Sequence, residues 1–200
     1  TALPSSPKGV TAMCGRYSLA PDQSQEIARI VAEVQARFGA ASIHTGEIYP
    51  TNAAPILLPD GQKMAPKPMI WGFPSFKGKG VIINARGETA LEKTMFRRSL
   101  LERRCVVPTT GFYEWDSQKR KYHFRLPGQD RLYLAGLWNT FRGEERFVVL
   151  TTAPNDTIIN VHGRMPVLLT DDEVTPWLHD TGMASAKLTA LQPALERVAV

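Results

Sequence analysis

The stretch Cys105-Val106-Val107-Pro108-Thr109-Thr110-Gly111-Phe112-Tyr113-Glu114-Trp115 decides the fold class. β-Branched and aromatic residues fill both halves, and Thr109-Thr110 before a glycine interrupts them, so the run reads as two short strands with a turn between. Downstream, Tyr122 to Arg125, Leu132 to Leu137 and Arg146 to Thr151 are further short runs set off by turn residues, with Lys119-Arg120-Lys121 marking a hairpin. Upstream, Pro55-Ile56-Leu57-Leu58 and Met64 to Ile70 flank an Asp60-Gly61 turn, and Val81-Ile82-Ile83 is a short buried strand. So many short strands with short connections predict a mostly antiparallel sheet.

Helical periodicity intervenes in few places. After Pro21-Asp22-Gln23-Ser24, apolar residues recur at Ile27, Ile30, Val31, Val34 and Phe38 until Gly39 stops the run. A second helix is predicted from about Ala90 to Arg104, carrying Leu91, Met95, Leu100 and Leu101 and bearing Arg97, Arg98, Arg103 and Arg104, a run that is usually an exposed face. Asp171 is expected to cap a short helix through Trp177, and the tail from Ala184 to Val200 to be helical or extended. The prediction is an α+β protein: a single domain over residues 13–200, with a curled, barrel-like, mostly antiparallel sheet and a few flanking helices. Lys77-Gly78-Lys79-Gly80 is a flexible basic loop.

At 200 residues the chain suits one domain with a proper core, and 43% hydrophobic with 22% charged residues is an ordinary globular composition. No apolar run approaches the roughly 20 residues of a membrane span, so a cytoplasmic protein without membrane contact is expected. Cys14 and Cys105 lie far apart and belong to no ligand-spaced cluster, so no metal, cofactor or disulfide framework is expected. A net charge of +5 makes nucleic acid the first partner to test.

Met13-Cys14-Gly15-Arg16-Tyr17 carries the sharpest chemical suggestion. A cysteine at a chain start holds an amine and a thiol on adjacent carbons. Such a 1,2-aminothiol condenses with an aldehyde to an imine, and the thiol closes on that imine to give a thiazolidine; an internal cysteine cannot do this. An α-amino pKa of roughly 8 leaves an appreciable fraction of free amine near neutrality. Removal of Met13 would expose Cys14, and Thr1 to Ala12 would then be a leader or a remnant to be cut away. The bland alternative is a small buried cysteine.

Other polar residues sit oddly. Glu114 lies inside an aromatic run, on the same side of an alternating strand as Phe112, where desolvation would raise its pKa toward a value useful for proton transfer. The alternative is a solvent-facing Glu114 beside buried Tyr113 and Trp115. Asn84 closes an apolar strand with Arg86 two residues on, a pairing suited to an amide fixing a substrate and a guanidinium taking a phosphate, or else a simple turn. His162 precedes a glycine and a buried strand, with Arg164 two residues on, a setting for a proton shuttle or for a structural histidine.

Taken together, Met13 to Tyr17, Trp71-Gly72, Asn84-Ala85-Arg86-Gly87-Glu88-Thr89, Met95-Phe96-Arg97, Arg104 to Pro108, Gly111 to Trp115 and His162-Gly163-Arg164-Met165-Pro166 resemble, in order, the motifs of the SRAP family, the SOS-response-associated peptidase proteins. The resemblance runs from Met13 to about Trp177. It implies a protein that shields abasic sites in single-stranded DNA, with Cys14 becoming the amino terminus and crosslinking to the ring-opened sugar. It further implies that Glu114 is the acid and base near the amine, that His162 assists ring opening, and that Asn84 hydrogen-bonds the sugar. Arg16, Arg86 and Arg164 would meet flanking phosphates, and Trp71 and Phe96 would offer apolar surfaces near the bent strand. The peptidase label would refer to self-removal of the residue before Cys14. A monomer is expected. Two rival functions remain: a cysteine hydrolase of other proteins using Cys14 and His162, and a non-catalytic single-stranded DNA binder.

Overall fold

The computed structural model describes residues 14–76 and 78–200. The chain begins with β1 (Tyr17–Leu19), crosses α1 (Gln25–Phe38), and returns through β2 (Gly46–Ile48) into a long hairpin, β3 (Ala53–Asp60) and β4 (Lys63–Trp71). A small hairpin, β5 (Phe73–Pro74) and β6 (Val81–Ile82), leads to β7 (Asn84–Arg86) and α2 (Thr94–Glu102). Then come β8 (Arg104–Thr109), β9 (Gly111–Trp115), β10 (Lys121–Arg125), β11 (Leu132–Phe141) and β12 (Glu144–Thr152). The chain closes with β13 (Met165–Pro166), β14 (Leu168–Leu169), α3 (Asp171–His179), α4 (Thr181–Lys187) and β15 (Glu196–Ala199). This is the α+β, mostly antiparallel architecture that the strand pattern predicts.

The curl is a closed ring. β4 pairs β3, β3 pairs β8, β8 pairs β11 and β11 pairs β12, all antiparallel, and a short parallel pairing of β12 with β4 closes the circle. Closure removes the exposed edges that an open sheet would carry. A second sheet, ordered β15-β10-β9-β1-β2, packs against it. Consecutive residues of the ring strands serve different layers: Cys105, Val107, Leu134, Phe147 and Val149 share a core with Cys14, Tyr17 and Phe112 of the second sheet. Val106, Ala135, Val148 and Leu150 face α2 to α4 through Leu100, Val174, Trp177 and Ala184. Burial on both faces explains why these strands read as continuous apolar runs rather than alternating ones.

Two local expectations are corrected, the bounds of α2 and the cap of α3. The two strands expected on either side of Thr109-Thr110 form as β8 and β9 but do not pair with each other: Thr109-Thr110-Gly111 carries the chain from the ring to the second sheet, where Thr109 Oγ1 accepts from Gly111 N at 3.0 Å and donates to Ser18 O at 2.6 Å. Gly111 has φ of 156°, and a Cβ there would lie 2.1 Å from His123 Nε2, so only glycine passes. The helix expected from Ala90 begins at Thr94 after a 3₁₀ turn over Gly87–Thr89. It ends at Glu102 because Arg104 is drawn into β8, where its guanidinium donates to the carbonyls of Trp177 at 2.6 Å and Leu178 at 3.2 Å. In α3 the cap is Thr170, which forms a capping box with Glu173, and the helix runs on to His179. α1 matches its prediction, with Ser24 as N-cap and Gly39 ending it at φ of 99°.

No described helix is long and apolar enough to cross a membrane. Among the described residues no group of three or more His, Cys, Asp or Glu side chains is placed to hold a metal ion. The expectations for Thr1 to Ala12 and for Met13 lie outside the described residues.

Candidate active site and nucleic-acid interface

β9 builds the centre of the site. Its alternation turns Phe112 and Glu114 inward and leaves Tyr113 and Trp115 half-exposed, the reverse of the solvent-facing alternative for Glu114. Glu114 is 3% exposed among apolar neighbours. Burial raises its carboxyl to about 8 against the pull of a backbone hydrogen bond from Cys14. In that bond the Cys14 nitrogen donates to Glu114 Oε1 at 2.6 Å.

Cys14 is itself 1% exposed. Burial, reinforced by the nearby Glu114, pushes its thiol well above the ordinary range, so the resting sulfur is protonated. Its φ of 44° is left-handed, a conformation that costs a non-glycine residue about 1–2 kcal/mol.

The second group of expected site residues gathers along the far half of β12. β7 pairs in parallel with β12, setting Asn84 opposite Val149 and Arg86 opposite Thr151. The indole of Trp71 anchors the entry to β7 by donating to Ile83 O at 3.1 Å. Arg164 is gripped from two sides: Nη2 donates to Thr151 O at 2.9 Å and Oγ1 at 3.0 Å, and both terminal nitrogens fork onto Glu88, at 2.8 Å for Nη2. Arg164 in turn holds the Glu88 carboxyl below its usual range, with Arg86 adding a smaller pull. His162 accepts the Arg164 backbone N–H on Nδ1 at 3.3 Å, which leaves its proton on Nε2. Burial lowers its pKa, so near neutrality the ring is an uncharged donor. Ile83 and Met165, the chain neighbours of Asn84 and Arg164, belong to the same apolar core as Cys14.

Two residues expected near the bent strand, Trp71 and Phe96, pack into the core of the structure. Trp71 is fully buried, tilted against Tyr17 at 5.1 Å and stacked on Phe147 at 6.2 Å. Phe96 is buried on α2 against Phe73 at 6.1 Å. Large rings with apolar partners on several sides belong to the core.

An exposed aromatic surface does exist, and sequence reasoning missed it. The Arg16 guanidinium lies 3.8 Å over Tyr49 and 5.2 Å from Trp115, while Lys121 Nζ lies 4.1 Å over Tyr113 and 5.7 Å from Trp115. Glu47 Oε1 joins the two cations, at 2.7 Å from each. Tyr113 and Trp115 flank Glu114 in sequence but face the other way, so this surface lies across β9 from the buried carboxyl. The signal available in the sequence was the alternation of β9 itself.

The site thus joins a cysteine whose backbone nitrogen is held by a buried carboxyl to an outer face of rings and cations. The chain belongs to the SOS response associated peptidase (SRAP) family, whose model matches residues 13–199. It is 32% identical over 187 residues to the abasic site processing protein YoqW of Bacillus subtilis, covering 84% of this chain and 80% of that one. It is 24% identical over 191 residues to the abasic site processing protein YedK of Escherichia coli, covering 89% and 86%. With the abasic site processing protein HMCES of Xenopus tropicalis it shares 34% identity over 123 residues, 48% of this chain and 37% of that one. A crystal structure from Bacteroides thetaiotaomicron superposes with a TM-score of 0.74 at 21% identity, covering 94% of this chain and 92% of the other, a likeness of fold.

Proposed function

We propose that this protein recognises abasic sites in single-stranded DNA and forms a covalent thiazolidine crosslink through Cys14, after removal of the preceding residue frees its amine. One observation carries the reading: the nitrogen that must become the nucleophile already lies 2.6 Å from a buried carboxyl whose pKa is about 8. A freed amine at that place stands within hydrogen-bond reach of a carboxyl that burial inclines to keep its proton, so a proton can pass directly between the two groups. Names of the relatives support the substrate class.

The chemistry balances through Glu114. The freed amine adds to the C1′ aldehyde to give a carbinolamine. Protonated Glu114 gives its proton to the departing hydroxyl, releasing water and leaving an iminium and a carboxylate. The carboxylate then takes the Cys14 thiol proton, the sulfur attacks the iminium carbon, and the C=N electron pair settles on nitrogen. Glu114 ends protonated as it began. His162, uncharged with its proton on Nε2, is suited to donate to the sugar ring oxygen as the closed form opens, and Asn84 to hydrogen-bond the sugar. Arg86 and Arg164 on one side and Arg16 on the other would take flanking phosphates, while Tyr49 and Trp115 stack unpaired bases.

Loss of the Met13–Cys14 bond abolishes the strained φ at Cys14, which favours the removal. The same thiol in the rival hydrolase of other proteins would need a depressed pKa, and its surroundings push the other way. The test is intact mass of the protein incubated with a single-stranded oligonucleotide carrying one abasic site. A Cys14-started species that gains the oligonucleotide less water supports the proposal, and processed protein that gains nothing refutes it.

A further inference from the structure

Glu47 belongs to β2 and lies opposite Ser18 of β1 in the second sheet. Its Oε1 accepts from two cations at once, Arg16 Nη1 at 2.7 Å and Lys121 Nζ at 2.7 Å, the first just ahead of β1 and the second on β10. The side chains of Arg16, Glu47 and Lys121 are 25%, 27% and 24% exposed, so the cluster belongs to the surface and not to the core. Burial would raise the Glu47 carboxyl, but hydrogen bonds from Lys121 and Arg16 outweigh it and hold the group below its usual range. The carboxylate is therefore charged at neutral pH. The cations do not depend on it for their places: Arg16 lies 3.8 Å over the Tyr49 ring, and Lys121 lies 4.1 Å over the Tyr113 ring. Ion pairs this exposed stabilise a fold weakly and exchange readily.

We infer that the Glu47 carboxylate occupies a phosphate subsite made by Arg16 and Lys121, and that a phosphodiester of bound single-stranded DNA displaces it. The inference rests on the nucleic-acid reading above and is independent of the crosslink chemistry. An oxygen 2.7 Å from both a guanidinium and an ammonium nitrogen stands where a phosphate oxygen shared by the two cations would take charge-assisted hydrogen bonds. The Trp115 ring lies 5.2 Å from the guanidinium and 5.7 Å from the ammonium, so a base can stack beside the point where its phosphate is held. No covalent bond is made or broken; one anion replaces another. In the unbound protein Glu47 neutralises the two cations. Once displaced it takes up a cation from solution, which weakens binding and lessens its dependence on salt. Lys121 thereby joins Arg16 as a phosphate ligand.

The test is fluorescence anisotropy of an undamaged oligothymidylate over a salt series, with the full chain and its Glu47→Gln variant. Glu102→Gln controls for net charge, since Glu102 ends α2 on the opposite side of the ring from the second sheet. E47Q should bind about fivefold tighter at low salt, the worth of two exposed ion pairs. Its fall of log K with log salt should steepen by about 0.7, one ion on a single strand. E102Q should match the unaltered protein, and adding Lys121→Ala to E47Q should shrink the gain. Equal or weaker binding by E47Q would show that Glu47 orients the cations, and would overturn the inference. A gain with an unchanged slope, a gain matched by E102Q, or one undiminished by K121A would overturn it too. If the unaltered protein forms no crosslink while E47Q still gains as stated, the thiazolidine reading falls and the phosphate subsite stands. If crosslinking proceeds and E47Q gains nothing, only the subsite falls.

Discussion

The backbone nitrogen of Cys14 and Oε1 of Glu114 lie 2.6 Å apart, although the residues are separated by 100 positions in the chain. The pairing of β1 with β9 creates this contact, since Tyr17 opposite Phe112 sets the register that carries Cys14 to the end of Glu114's side of the strand. A carboxyl buried against a main-chain donor is an expensive arrangement for the fold. Its cost is visible in the pKa.

Replacing Glu114 by Gln should therefore separate stability from chemistry. Between its ordinary value of 4.5 and the native value of about 8, the folded state binds more protons at Glu114 than the unfolded state does. Its contribution is present in full below about 4.5 and is lost as pH rises toward 8. Thermal unfolding of E114Q should show a flatter pH dependence and a higher midpoint at pH 8 than the unaltered protein. Crosslinking should fall by about 10²-fold or more, the usual loss of a general acid–base. A variant that loses stability equally at all pH values would contradict this.

Cys14 supplies two nucleophiles, and substitution distinguishes them. Cys14→Ala keeps the amine but cannot close the ring, so any adduct should be a reversible imine. Cys14→Ser should likewise give an adduct that borohydride fixes and heat otherwise destroys. Denaturing gel analysis with and without borohydride reads both. A heat-stable adduct from either variant without reductant would remove the thiol from the mechanism.

On the outer face, Trp115 and Arg16 should report different forces. Trp115→Ala should weaken binding of undamaged single-stranded oligonucleotides by about 1–3 kcal/mol, with little preference for base and an unchanged salt slope. Arg16→Ala should lower affinity and also flatten the dependence of log K on log salt by roughly one phosphate contact. Fluorescence anisotropy over a salt series measures both. Equal salt slopes in the two variants would show that Arg16 meets no phosphate.

Gly111 tests the crossing between the sheets. Alanine there would require a left-handed residue at φ of 156° with its Cβ 2.1 Å from His123 Nε2. That ring cannot simply retreat, because it is stacked on Tyr113 at 4.7 Å and hydrogen-bonded to Ser18 Oγ at 2.8 Å. Gly111→Ala should cost at least about 2 kcal/mol in chemical denaturation. A near-neutral result would show that β9 can shift on its neighbours without loss.

Much of this was legible in the chain. The period of α1, the Asp60-Gly61 hairpin and the alternation of Phe112 and Glu114 are local patterns, and local patterns survive folding. What escaped is non-local. Closure of the ring depends on β12 meeting β4 in parallel, a pairing without a short-range signature. Arg164 finds Glu88 76 positions away, and the cationic aromatic face draws Tyr49, Trp115 and Lys121 from three separate stretches. The burial of Trp71 and Phe96 was not legible, because a motif position fixes identity and not exposure. Their neighbours decide that, and those neighbours are core residues.

The central claim is that an exposed Cys14 amine and thiol together capture an abasic sugar, and intact mass measures it most directly. The protein is weighed before and after incubation with a single-stranded oligonucleotide bearing one abasic site, then denatured without reductant. The account predicts a species beginning at Cys14 that gains the mass of the oligonucleotide less one water and survives denaturation. Processed protein with an authentic Cys14 terminus that gains no mass, or active protein in which Cys14 remains internal, would contradict it.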